Sequence, residues 1–327
     1  MVLSGVRKSK MIVTNVKWTN KGGDQKVGYY MDGYEVENFL PIPAFLAKKW
    51  DCVGIVSGHG KVGVGKSTKA GQTAYFLAWL IAGGNIEMHR DEENKIVVDK
   101  VTNPTKKVNF SLNNVVFSAE DLMKKAEELP KNSVIMYDEG RSGLDSASAM
   151  TAINKAMAEF FQRCRVYHHV IIIVLPNFFK LHEDYAVARS QFLIDTYADE
   201  NFNRGFFSFY NEAQKEKLFF FGKKRIGVTA KYAAASRNFY GRFTSWVPWD
   251  ETEYDAAKEK ALASAKHTKR LERMLKLRNA GYYLLRSRFE MEPKEIAKEV
   301  SMISGEKIDV GTVMNSISKA NPERNTK

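Results

Sequence analysis

The chain has 327 residues, 44% hydrophobic and 27% charged, a globular balance with enough apolar side chain to bury a core; this excludes whole-chain disorder. At roughly 150 residues per domain the length points to two domains. Fifty Lys+Arg against 38 Asp+Glu leave a net charge of +12, a surplus that suits a polyanionic partner, either nucleic acid or an acidic membrane surface. The two cysteines, Cys52 and Cys164, are too few for a disulfide framework or a zinc site and read as buried thiols in a reducing compartment. The first ten residues lack the apolar core of a signal peptide, and the apolar runs at 75–82 and 170–176 fall short of the roughly 20 residues needed to cross a bilayer. The expectation is a cytoplasmic protein with no membrane span.

In chain order, residues 11–18 and 27–30 flank a Lys-Gly-Gly-Asp turn and predict a hairpin, so residues 1–44 are read as an N-terminal β-hairpin extension. Residues 52–56 predict a buried strand, and residues 68–82 a helix that Gly83-Gly84 ends. Residues 85–110 are polar, with a short strand at 96–98, and read as an inserted hairpin. Core grammar returns at 115–117. Ser118 and the acidic pair after it then open a helix that Pro130 closes. Strands are predicted at 134–137, 170–175 and 191–194, with a helix at 146–163 between the first two. Apolar strands alternating with helices predict an α/β domain over 45–250, with a mostly parallel sheet flanked by helices. Residues 206–210 and 217–222 are expected to add two antiparallel strands.

The segment between the first buried strand and its helix is the most informative in the chain. Gly60, Lys61, Val62, Gly63, Val64, Gly65, Lys66 and Ser67 fit G-x-x-x-x-G-K-[ST]. Glycines let successive backbone N–H groups face phosphates, and the N-terminus of the following helix, at Ser67 and Thr68, adds positive potential. Lys66 would reach the β- and γ-phosphates, and the Ser67 hydroxyl would complete a Mg²⁺ shell. Some 70 residues on, the strand at 134–137 ends in Asp138-Glu139. An aspartate at the carboxyl end of the neighbouring strand can hold the metal's water, and an adjacent glutamate can deprotonate the attacking water.

On these residues the chain resembles the P-loop NTPases, specifically the additional-strand (ASCE) division with its catalytic glutamate beside the Walker B aspartate. That resemblance implies Mg²⁺ as cofactor and ATP as substrate, with Lys66 and Glu139 catalytic, Gly60 to Thr68 binding nucleotide, and Ser67 and Asp138 holding the metal. It also implies a polar sensor at the end of the next strand, where Asn177 stands; an asparagine favoured in a turn is the other reading. Arg189, before the strand at 191–194, would neutralise γ-phosphate charge from a neighbouring subunit, or else is a surface arginine. Lys61 resembles the signature lysine of the ParA/MinD group, although Val62-Gly63 departs from that pattern, and is otherwise an extra phosphate or surface contact. Arg141 contacts nucleotide or DNA, or forms a salt bridge. His168-His169 reads as a pair of core or turn histidines.

Beyond residue 250 the chain turns helical and basic, with 16 Lys+Arg against 9 Asp+Glu over residues 258–327. Lys269, Arg270 and Arg273 lie along one predicted helix. Two shorter helices follow, at 292–300 and 309–319, joined by a connection at 302–307. Their cadence is similar to a helix-turn-helix, with Ile296, Ala297, Val300, Val313 and Ile317 as core. Thr312, Asn315, Ser316 and Lys319 are then expected to face DNA. Residues 251–327 are therefore read as a small all-α DNA-binding module. The combination looks like the FtsK/HerA-type DNA pumps and the zonular occludens toxin-like ATPases of phages and mobile elements. This implies a homo-oligomeric ring, such as a hexamer, that couples ATP hydrolysis to DNA movement. A ParA-like nucleotide-switched dimer and an ATP-controlled replication or assembly adaptor are the alternatives.

Overall fold

Helices cover both faces of the central sheet because its inner strands are buried on both sides. The computed structural model describes residues 13–19, 25–58, 63–138, 158, 160–161 and 166–321. The readings placed on Gly60, Lys61, Val62, Glu139, Arg141, Cys164, the 20–24 turn and most of the 146–163 helix lie outside them. Strand β3 (Cys52–Gly58), β6 (Val115–Val116), β7 (Val134–Asp138), β8 (Val170–Val174) and β9 (Phe192–Tyr197) run parallel; β10 (Phe206–Asn211) and β11 (Phe239–Arg242) add antiparallel edges. The order across this seven-stranded sheet is β11-β10-β9-β3-β8-β7-β6. The strand ending in Asp138 is thus not the neighbour of β3, as the sequence suggested: β8 lies between them.

Alternation along these strands divides the core in two. Val56, Ile172, Val174 and Ile194 meet helix α3 (Lys66–Ile81) through Phe76, Leu77 and Trp79, together with the short helices α1 (Gly33–Phe39) and α2 (Ile42–Ala47). On the opposite face Val53, Ile55, Ile171 and Ile173 meet Leu122 and Ala126 of α4 (Ala119–Glu128) and Leu218 and Phe219 of α5 (Glu212–Lys223). Ser118 caps α4 as expected, its hydroxyl accepting from Asp121 N at 3.0 Å. β1 (Val13–Thr19) and β2 (Gln25–Tyr29) form the N-terminal antiparallel pair, and β4 (Asn85–Arg90) and β5 (Ile96–Thr102) the inserted one.

The strand expected at 217–222 is part of α5. Lys215, Leu218, Phe219 and Gly222 are its buried positions, a helical i, i+3, i+4, i+7 set that three consecutive phenylalanines disguise. The Asn211 side chain starts the helix by accepting from Gln214 N at 3.1 Å. Helix α6 (Val228–Tyr232) then returns the chain to β11.

Between α1 and α3 the core holds charge. Lys69 and Glu35 form an ion pair with side chains 1% and 0% exposed, and the Lys69 ammonium also sits 4.2 Å from the centre of the Phe207 ring. Asp32, 6% exposed, caps α1 through Tyr34 N at 3.0 Å and feels the same ammonium. One cation therefore serves two carboxylates. Burial raises Glu35 despite Lys69, and raises Asp32 to about 6, with Lys69 opposing. Folded Asp32 keeps its proton up to about pH 6, whereas the unfolded carboxyl releases it near 3.8. The stability that the neutral form contributes is complete below the lower value and is lost as pH rises through the higher. Asp32→Asn, which keeps a capping oxygen, should flatten the stability profile between pH 4 and 6. It should also raise stability at pH 7 by up to about 3 kcal/mol. Urea titrations at a series of pH values measure this; a profile with the wild-type slope rules it out.

The chain divides into two compact units, Met1–Lys258 and Glu259–Lys327. Helix α7 (Glu251–Arg288) leads from the first into the second, so the boundary falls within a helix. In the second unit Tyr282 of α7, Ile296 and Ala297 of α8 (Pro293–Ser304) and Val313 of α9 (Val310–Ala320) form a small core, with Val300 and Ile317 at its edge. Two expectations are corrected here. Met302 and Ile303 belong to α8, which ends at the left-handed Gly305, so the connection is shorter and spans 305–309. Ser316 is buried at 3% exposure, because Val313, Ser316 and Ile317 share the inward side of α9. Among the described residues no helix is long and apolar enough to cross a membrane.

Candidate functional site

β3 ends at Gly58, and residues 63–65 lead into α3 at Lys66. The first helical residue follows Gly65 at φ +89°, a left-handed conformation that glycine adopts without penalty. Gly58, the last residue of β3, is needed for a different reason. A Cβ there would lie 2.6 Å from Val64 and 2.9 Å from the Lys66 stem. Val64 and the Lys66 stem therefore lie over the carboxyl end of the strand. Val64 is buried beneath the turn, while Lys66, Ser67 and Thr68 are half-exposed in the first turn of α3. Gly63 is exposed, at φ +77°.

Ser67 meets Asp138 across this junction, its Oγ donating to Oδ2 at 2.8 Å. Residues 71 positions apart in the chain are thus brought together by the parallel registers of β3 with β8 and of β8 with β7, in which Val174 pairs with both Val56 and Asp138. Asp138 is 3% exposed, and a buried carboxylate needs partners. It has three on one oxygen: Ser67, the Tyr254 hydroxyl and the Lys258 ammonium at 3.0 Å. Tyr254 and Lys258 stand one turn apart at the start of α7. Burial pushes the Tyr254 hydroxyl upward, and Asp138 adds to it, so the phenol keeps its proton and donates.

Residues 243–249 guide α7 to this point along α3. Gln72 Nε2 donates to Thr244 O at 2.8 Å and to Trp246 O at 2.7 Å. The Trp249 ring lies against Gly71 and stacks on Tyr254 with centroids 5.0 Å apart. No sequence pattern had singled out Tyr254 and Lys258. Their spacing of four puts them on one helix face, but only the folded chain brings that face to Asp138.

No protein-family model matches the sequence, and no curated protein matches it at a significant level.

The other expected residues fall in several places. Asn177 stands just beyond β8 at the same carboxyl edge, where its side chain accepts from Phe179 N at 2.9 Å and caps a short 3₁₀ turn. Arg189 lies at the opposite edge. It is exposed, two residues before Gln191, whose backbone N and side chain both bond to Val53 near the start of β3. From Val53 to Gly58 is five residues, about 17 Å of strand, so the fold does not bring Arg189 to Ser67 and Asp138 within one chain. His169 is a core histidine bonded to Ala126 O and Ser133 N, and burial lowers its pKa. Cys52 is buried, its thiol pushed up to about 12, and is therefore inert.

In the second unit Arg270 and Arg273 are exposed on α7, and Lys269 belongs to the same helix. Asn315 and Lys319 are exposed on α9. Thr312 is half-buried and donates to Asp309 at 2.6 Å, while Ser316 faces Arg278.

Proposed function

We propose that the chain is a Mg²⁺-dependent ATPase of the additional-strand P-loop type that binds DNA and couples hydrolysis to DNA translocation or packaging as an oligomer. The observation that carries this reading is the 2.8 Å bond between the Ser67 hydroxyl and Asp138, made where a left-handed glycine opens α3. The placement of β8 between β3 and β7 supports it, since an inserted strand at that position is what the type is named for.

The donor set suits the cation. A serine hydroxyl and a carboxylate are hard oxygen ligands, and Mg²⁺ sites use one or two such groups together with water and phosphate. Magnesium would supply charge neutralisation on the β- and γ-phosphates. Lys66 and the amides at the start of α3 hold the triphosphate, and Ser67 and Asp138 orient the metal's shell. Glu139 accepts the proton of the attacking water. Asn177, at the same edge, senses the γ-phosphate, and Arg189 acts from a neighbouring subunit. The basic second unit, with Arg270, Arg273, Asn315 and Lys319 exposed, is the DNA contact.

Purified wild-type protein should hydrolyse ATP only with Mg²⁺ and faster with duplex DNA, whereas Lys66→Ala should lose binding and turnover together. A wild-type chain that binds no nucleotide ends this reading.

A further inference from the structure

The connection from β9 to β10 is built around Asp199. Its carboxylate accepts from Asn201 N at 3.0 Å, Asn203 N at 2.7 Å and Asn203 Nδ2 at 2.9 Å, and its backbone N donates to Asn203 O at 3.0 Å. Next in the chain, Gly205 O accepts from Phe243 N at 2.8 Å, which ties the connection to the segment whose Phe243 ring covers Gly65. Arg204 lies between these two anchors. Its guanidinium sits over Gly63, so that a Cβ on that glycine would be 3.5 Å from one terminal nitrogen and 3.7 Å from the other.

Arg204 is exposed, and among the described residues it makes no ion pair and no hydrogen bond. The glycine turn therefore gathers positive charge from three sides: Lys66 over Gly58, the N-terminus of α3, and Arg204 over Gly63. A guanidinium fork matches phosphate oxygens, and Arg204 holds one over Gly63.

We propose that Arg204 is a second cation on the triphosphate, supplied by the same chain, so that the β9–β10 connection helps the site tell a nucleoside triphosphate from a diphosphate. This inference rests on the ATPase reading above. The test compares Arg204→Ala, Arg204→Lys, Lys66→Ala and wild type by calorimetric binding of ATP and ADP with Mg²⁺. Arg204→Ala is expected to weaken ATP about 10- to 100-fold and ADP less than about 3-fold, with Arg204→Lys recovering most of the ATP affinity. Because the side chain is exposed, the thermal midpoint without nucleotide should not move.

Wild-type affinity for both nucleotides in Arg204→Ala overturns the inference, and so does an equal loss of the two. Lys66→Ala retains its meaning in either case. If it too binds as wild type does, the ATPase reading itself has failed. Mixing Arg204→Ala with Lys66→Ala chains separates the two sources of arginine. Tight ATP binding restored in the mixture places the contribution on a neighbouring subunit and overturns the same-chain assignment; no restoration supports it.

Discussion

Glu139→Gln is expected to leave ATP binding intact while reducing turnover by about 10²- to 10⁴-fold, the usual contribution of a positioned general base. Asp138 is the last residue of β7, held by Ser67 at 2.8 Å at the carboxyl edge of the sheet, and Glu139 follows it in the chain. A carboxylate there can take a proton from water, and an amide of the same shape cannot. Equal ATP affinity with single-turnover hydrolysis slowed to this degree is the predicted result. Hydrolysis by the variant at the wild-type rate would remove Glu139 from the mechanism. Loss of binding instead would assign it a structural part.

The largest expected loss of stability comes from Lys69→Met. The ammonium is 1% exposed and pairs with Glu35, which also accepts from Thr73 Oγ1 at 3.3 Å. Removing the cation alone leaves Glu35 and Asp32 buried without a counter-charge, and breaking such a pair costs about 3–5 kcal/mol. The cost arises from the uncompensated carboxylates, so replacing both partners, as Glu35→Leu with Lys69→Met, should recover most of it. Urea unfolding of wild type, single and double variants measures the coupling. Additive losses in the double variant would mean that packing around α1 and α3, and not charge, sets the cost.

How much of this could be read from the sequence depended on the range of the interaction concerned. The parallel core strands announce themselves as short apolar runs, because both of their faces are covered. The caps at Ser118 and Asp309 announce themselves because capping is local. Order across the sheet is a long-range property, and nothing in the residues around 134–138 says that β8 will lie between β7 and β3. Three phenylalanines obscure the helical period of α5, and at Ser316 a small polar residue falls on the buried side of a helix. At the candidate site Gly65 ahead of α3 and Asp138 at the end of β7 carry compositional marks, since backbone geometry and strand ends leave them. Tyr254, Lys258 and Arg204 carry none. Each reaches the site from a distant segment, and a lone tyrosine, lysine or arginine carries no such mark.

The crowding of donors on Asp138 has a thermodynamic consequence. One oxygen receives the serine, the phenol and the ammonium, and the last two come from the first two turns of α7. Any cation that took this oxygen would do so in competition with Lys258, so the two occupancies are linked with opposite sign. By reciprocity, whatever holds the opening turns of α7 in place weakens the cation's hold by the same factor, and whatever frees them strengthens it. The carboxylate then couples any cation it takes to how firmly α7 begins.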